Sequence, residues 1–270
     1  MQVGIFAKTF AGKDPLTVLK AAGAAGFHGV AYNMACSGLQ PMPDEITQVQ
    51  IAAIVAACRE TGLAIQSLSG TYNMIHPDPQ VRALGHRRLA VLAAAARPIG
   101  TTLITLCTGT RDARDQWNHH PDNSSPEAWV DLLKSFDVAV QIAEKHNIFL
   151  GVEPELANVV NSAAAAKRLI DELQSERIRI VLDPANLFET SPEPDRIVAQ
   201  AVDLVAPHIA MAHAKDRDRM GRFATAGKGV VNFPHFLTCL RQVGFDGPLV
   251  THGLTADEAP QVATWLKGLL

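Results

Sequence analysis

Short apolar runs recur along the chain at Val3–Ala7, Gly29–Asn33, Ala64–Leu68, Thr102–Leu106, Phe149–Glu153, Arg179–Asp183, Ile209–His213 and Pro248–His252. Most are continuously hydrophobic, the pattern of strands covered on both faces rather than on one. The longer segments between them carry apolar residues at helical spacing. In DEITQVQIAAIVAACRETG, Ile46, Val49, Ala53, Ile54 and Ala57 share one side, and Gly62 supplies a left-handed stop. In SPEAWVDLLKSFDVAVQIAEKH, Ser125 is placed to cap and Pro126 fits the first turn. Trp129, Leu132, Leu133, Phe136 and Val140 form the stripe to be buried. SAAAAKRLIDEL, from Ser162, and FPHFLTCLRQVG, ending at Gly244, read in the same way.

Strand and helix alternate eight times over 270 residues with no composition break, linker or low-complexity run. A doubly wound open sheet also alternates, but it often opens on a glycine-rich first turn, and here that turn is FAKTFAGKDP. The pattern predicts an α/β fold, a single (β/α)8 TIM barrel, with residues 1–270 as one domain. The longest stretch without periodicity is Thr108 to Ser124, TGTRDARDQWNHHPDNS. A loop of that length in a compact domain is usually functional.

Composition narrows the classes. Hydrophobic residues make up 47% and the net charge is −3, so a protein that grips nucleic acid mainly through phosphates is not indicated. The four cysteines are scattered with no CxxC pair, so neither a zinc ribbon nor a thioredoxin-type motif is indicated, and isolated thiols suit a reducing compartment. Cys58 and Cys239 fall in apolar helical patterns and are expected to be buried thiols. The start, MQVGIFAKTF, lacks a signal-peptide core, and the most apolar run, Leu89–Ala96, is too short to span a bilayer. The expectation is a soluble cytoplasmic protein with no membrane or nucleic-acid partner.

In barrels of this kind, reactive groups collect at the C-terminal ends of the strands. Here Glu153, Asp183, His213 and His252 each end an apolar run, on the last four strands. Alone, each has a commonplace explanation: Asp before Pro forms turns, and a His after a strand is usually hydrogen-bonded. Their recurrence on four successive strands points to one site. Two oxygen and two nitrogen donors suit one divalent ion such as Mn, Zn, Co or Ni, with Mg or Fe as further candidates.

The segments VEPE, LDPANLF, HAKD, GKGVVNFPHFL and GFDGPLV are similar to those of the xylose isomerase-like TIM-barrel family, which includes sugar-phosphate isomerases and epimerases. The likeness is best from Gly151 to Leu254 and runs in order over nearly the whole chain. It implies a single divalent metal held by Glu153, Asp183, His213 and a fourth residue on the last strand. In the epimerase members that fourth ligand is Glu, and it works with the strand-five Glu as an acid/base pair on opposite faces of the sugar. The matching position here is His252. An imidazole can ligate, but a nitrogen held by metal cannot also carry a proton. Glu155 faces the same way as Glu153 in an extended strand and is the candidate second group, with a rim salt bridge as its alternative.

The function expected is a divalent-metal-dependent isomerase or epimerase of a sugar or sugar phosphate. It would abstract a proton next to a carbonyl, the metal stabilising the enediolate. Alternatives are a metal-dependent hydrolase or lyase on the same barrel, and a non-catalytic sugar-binding barrel. Candidate substrate contacts are Lys8 at the end of strand one, Tyr72, Asn73 and His76 after strand three, and Trp117 in the long loop. Asn186, Lys215 and Arg219 follow the ligand positions. Lys228 in the Gly227–Gly229 turn is either a phosphate contact or part of a plain turn. A homodimer is a further expectation from exposed barrel helices.

Overall fold

The computed structural model describes residues 1–270. In chain order its strands are β1 (Gln2–Phe6), β2 (Gly29–Tyr32), β3 (Ala64–Ser69), β4 (Leu103–Cys107), β5 (Phe149–Glu153), β6 (Ile178–Leu182) and β7 (Ile209–Ala214). A short ribbon of β8 (Asp216–Arg217) and β9 (Phe223–Ala224) follows, then β10 (Pro248–Thr251). All but the ribbon join in one closed parallel barrel, with β10 pairing both β7 and β1. Eight helices cover it: α1 (Pro15–Ala24), α2 (Gln48–Thr61), α3 (Pro79–Ile99), α4 (Pro126–His146), α5 (Ala163–Leu173), α6 (Pro194–Val205), α7 (Phe233–Gln242) and α8 (Ala259–Leu269).

Local chemistry sets the helix limits. The Ser125 hydroxyl accepts the Ala128 N–H at 3.1 Å to start α4, and the Ser162 hydroxyl accepts the Ala165 N–H at 3.2 Å to start α5. The pattern around Ile46 suggested an earlier start for α2. Thr47 begins it instead, through a reciprocal cap: its hydroxyl accepts the Gln50 N–H, and the Gln50 side chain accepts the Thr47 N–H at 2.8 Å. On α4 the buried face takes Ala139 and Ala143, while Leu133 and Val140 are only partly covered. Cys239 is buried as expected, but Cys58 is half-buried, and all four thiols are free. No helix is long and apolar enough to cross a membrane.

Side chains alternate across a strand, so every second residue faces the barrel interior. Ala31, Leu103, Val181, Met211 and Val250 form a small apolar cluster there, separate from the larger layer between strands and helices. At its floor, Gly4 and Gly29 leave room for the Gln66 amide: a Cβ on Gly4 would lie 1.9 Å from Gln66 Oε1. Continuing the same alternation upward from Gly151, Val181, Met211 and Val250 leads to Glu153, Asp183, His213 and His252. The apolar cluster is thus the platform on which these four stand, at the end of the barrel where the parallel strands finish.

Candidate active site

The four side chains converge. Their ligand atoms all lie within 4.8 Å of one another. His213 Nδ1 is 3.1 Å from Glu153 Oε1 and 4.0 Å from Asp183 Oδ2, and His252 Nε2 is 3.2 Å from Asp183 Oδ2. The two imidazole rings meet edge to face at 4.6 Å. Each carboxylate is fixed from behind. Asn186 Nδ2 donates to Glu153 Oε1 at 2.9 Å, the Ala185 N–H donates to Asp183 Oδ1 at 2.9 Å, and Lys215 Nζ bridges Asp183 Oδ2 at 3.2 Å and Asn186 Oδ1 at 2.7 Å.

This donor set fits a divalent cation. Bonds of about 2.0–2.2 Å to oxygen and imidazole nitrogen would span the cluster with little movement, and two anions with two imidazoles match the preferences of the transition ions. Without a cation, burial and the neighbouring charges act on these groups in opposite senses. Burial pushes the Glu153 carboxyl up, but the adjacent His213 and Lys215 outweigh it and hold it below its ordinary range. Burial likewise opposes the Asp183 charge, and Lys215 together with the His252 hydrogen bond brings that carboxyl well down. His213 is lowered by burial and raised by more through Glu153, for a net rise. His252 is held down by burial, which its bond to Asp183 does not overcome.

The cluster opens into a cavity of about 580 Å³, also lined by Phe6, Lys8, Glu155, Lys215, Trp117 and Phe223. Glu155 shares it with Glu153, and its carboxyl forms no ion pair, so the rim salt bridge considered for it is absent. Burial raises it to about 7, a rise that Lys215 only partly offsets. In the metal-free protein the unfolded chain releases this proton near 4.5, the ordinary value, whereas the folded chain keeps it to about 7. The native state therefore binds the extra proton across that window, and stability falls as pH rises through it and then levels off. Glu155→Gln removes this cost. The metal-free variant is expected to exceed wild type by on the order of 3 kcal/mol at about pH 8 and to match it at about pH 4. Urea unfolding at the two pH values measures the difference, and an equal offset at both contradicts the account.

The remaining candidates divide. Lys8 and Trp117 line the cavity, Lys8 exposed and Trp117 half-exposed at the mouth. Asn186 and Lys215 are buried in the network just described. Tyr72, Asn73 and His76 border a neighbouring hollow instead. Asn73 clamps the long loop, its Nδ2 donating to the Thr110 carbonyl at 2.8 Å and its Oδ1 accepting the Thr110 N–H at 3.1 Å. His76 is tied to Ala113 and Asp78. Arg219 is not in the cavity; it borders a separate surface depression with Glu189 and Asp218. The glycine turn around Lys228 is structural: the buried Asp216 carboxylate accepts N–H groups from Gly227, Gly229 and Val231 at 2.9–3.0 Å, and Lys228 pairs with Glu258 at 2.6 Å.

Phe223 and Phe6 are among the cavity residues that the sequence reading did not single out. Phe223, on the ribbon, lies between Lys215 Nζ at 3.8 Å and the Arg217 guanidinium at 4.1 Å from its ring centre. Phe6 tilts toward the His252 ring at 6.4 Å. Phe6 carried a usable signal, being the last residue of β1 at the mouth of the barrel.

Comparison with known proteins agrees with this geometry. A family model described as a xylose isomerase-like TIM barrel matches residues 19–269. L-ribulose-5-phosphate 3-epimerase UlaE of Shigella flexneri serotype 5b is 25% identical over 278 residues, spanning 98% of this chain and 93% of the relative. The protein of the same name from Escherichia coli O157:H7 is 26% identical over the same spans. Among solved structures, 3-keto-D-glucoside 4-epimerase YcjR from E. coli superposes with a TM-score of 0.78 at 19% identity, covering 99% of both chains. D-allulose 3-epimerase from Methylomonas sp. superposes with 0.77 at 17% identity, covering 100% of this chain and 98% of the other. At those identities the structural likenesses show the fold.

Proposed function

The chain belongs to the xylose isomerase-like TIM-barrel family, and from that premise we propose that it is a divalent-metal-dependent epimerase or isomerase acting on a ketose or its derivative. The observation that carries this reading is the convergence of two carboxylates and two imidazoles, from four successive barrel strands, beside a cavity of sugar size. The curated relatives, named as epimerases of a ketose phosphate, support the reaction class.

In this reading Glu153, Asp183, His213 and His252 hold the cation, which supplies positive charge where the substrate's carbonyl oxygen gains negative charge. Glu153 is the base. Asn186 and His213 both bond to its Oε1, which leaves Oε2 to take the proton from the carbon next to the carbonyl. Glu155 is the second proton-transfer group, being the other carboxyl that lines the cavity and the one without a partner. His252 turns Nε2 toward Asp183 and acts as a ligand rather than a proton carrier. Lys215 and Asn186 hold the carboxylates in place, and Lys8 and Trp117 meet the sugar at the mouth.

The test is proton exchange. Metal-loaded protein incubated in D2O with L-ribulose, L-ribulose 5-phosphate or D-fructose is expected to place solvent deuterium on the carbon adjacent to the carbonyl, read by NMR. Ketose binding without any deuterium entering the sugar overturns the catalytic reading in favour of a binding barrel.

A further inference from the structure

A second hollow, of about 410 Å³, adjoins the catalytic cavity at the mouth, between the segment that follows β3 and the long loop that follows β4. The two share Thr71, Gln116 and Trp117 in their linings, so they adjoin at these residues. Each alone falls within the range of small-molecule sites, about 300–1,000 Å³. The Tyr72 ring, with Val81 and Leu84 from α3, supplies apolar lining, and Arg88, also from α3, joins Arg114, Asp112 and Asp115 of the long loop as its charged groups. Arg88 is already bound by Asp44 at 2.8 and 3.1 Å, and Asp112 accepts the N–H groups of Arg114 and Asp115 at 2.8 and 3.1 Å. The hollow is thus amphipathic and close to charge balance.

The loop that presents Trp117 is built rather than loose. Asp112 also accepts from Asn118 Nδ2 at 2.8 Å, and Asp115 Oδ1 accepts the Trp117 N–H at 2.9 Å. An indole left 52% exposed at the junction of two hollows is a platform for the apolar face of a ring.

We propose that this hollow receives a second sugar ring, and that the substrate is a glycosylated ketose: the ketose lies in the catalytic cavity, and a sugar joined through a glycosidic oxygen passes Trp117 into the side hollow. The assignment rests on the epimerase reading of the adjacent cavity. Charge decides against a phosphate as the substituent. No arginine lines the catalytic cavity, where Lys215 is engaged by Asp183 and Asn186; in the side hollow Arg88 is held by Asp44, and Asp112 and Asp115 offset Arg114. A phosphate dianion would meet two carboxylates together with the one unengaged guanidinium, whereas a neutral ring meets an aromatic face, apolar side chains and polar groups at the rim.

Three ketoses that differ only at the sixth carbon test it: D-fructose, D-fructose 6-phosphate, and isomaltulose, which carries a glucosyl group on that oxygen. Calorimetric titration of the metal-loaded protein is expected to show isomaltulose binding at least about tenfold tighter than the other two, a gain of about 1.4 kcal/mol. Val81→Trp fills the hollow and is expected to abolish that preference, and Trp117→Ala, on the exposed loop, to reduce it. Equal affinity for isomaltulose and fructose, preference for the phosphate, no isomaltulose binding, or a preference untouched by both substitutions overturns the proposal. Deuterium exchange separates the two readings. Exchange into fructose without isomaltulose preference removes the side hollow alone, while tight, Val81-dependent isomaltulose binding with no exchange into any ketose removes the epimerase reading alone.

Discussion

His213→Ala is expected to weaken divalent-cation binding by about 100-fold or more while leaving the barrel folded. Loss of a group that merely orients a ligand typically costs about 10–100-fold, and removal of a ligand exceeds that. The fold should tolerate the change because the imidazole belongs to neither apolar cluster of the core. The space it leaves opens into the cavity rather than forming a sealed void. A second signature follows from charge. In the metal-free protein burial disfavours the His213 proton, but Glu153 more than compensates and keeps it above the ordinary range. A cation must displace that proton, so wild-type affinity falls as pH drops through the raised range. The variant should lose that part of the pH dependence. Calorimetry at about pH 6 and about pH 8, around the titration range of histidine, reads both effects, and an unchanged affinity removes His213 from the ligand set.

Glu153→Gln is expected to retain measurable cation binding and to lose about 10²–10⁴-fold in deuterium exchange, the usual contribution of a positioned acid or base. The amide keeps one oxygen toward His213 and Asn186 but offers no basic oxygen to the substrate. Metal content and exchange therefore separate in this variant, whereas in His213→Ala they fall together. Exchange at the wild-type rate in Glu153→Gln assigns proton abstraction to another group, with Glu155 first in line as the other carboxyl of the cavity.

The architecture could be read from the chain because its cause is local and repeated. Each buried strand needs a continuous apolar run, and β5 spans Phe149–Glu153 as its run indicates. The ladders of β6 and β10 stop at Leu182 and Thr251, so Asp183 and His252 stand just beyond them. Alternation still carries both residues to the inner face, which is why strand-end position located the cluster. Lys215 lies one alternation beyond His213, just past the end of β7, and reaches the same cluster. The Asn186–Glu153 and Lys215–Asn186 hydrogen bonds were not readable, since they join residues whose approach depends on closure of the barrel.

Arg219, expected as a substrate contact, stands outside the cavity because the β8–β9 ribbon turns the chain back on itself. Gly221 N–H donates to the Asp218 carbonyl at 3.0 Å, and Asp218 Oδ1 accepts the Met220 and Arg222 N–H groups at 2.8 and 3.0 Å. The reversal carries Arg219 away from the cavity and brings Phe223 back over Lys215. An Asp followed three residues later by a Gly is a turn signature and was the signal available. Two-residue strands such as β8 and β9 have no periodicity to detect.

The account depends on one cation shared by four side chains. Anomalous diffraction from crystals of the purified, metal-loaded protein, recorded on both sides of the absorption edge of the metal, locates that cation without reference to activity. The expected result is one strong peak about 2.0–2.3 Å from donor atoms of Glu153, Asp183, His213 and His252 together. A peak elsewhere, or one that leaves His252 outside bonding distance, contradicts it.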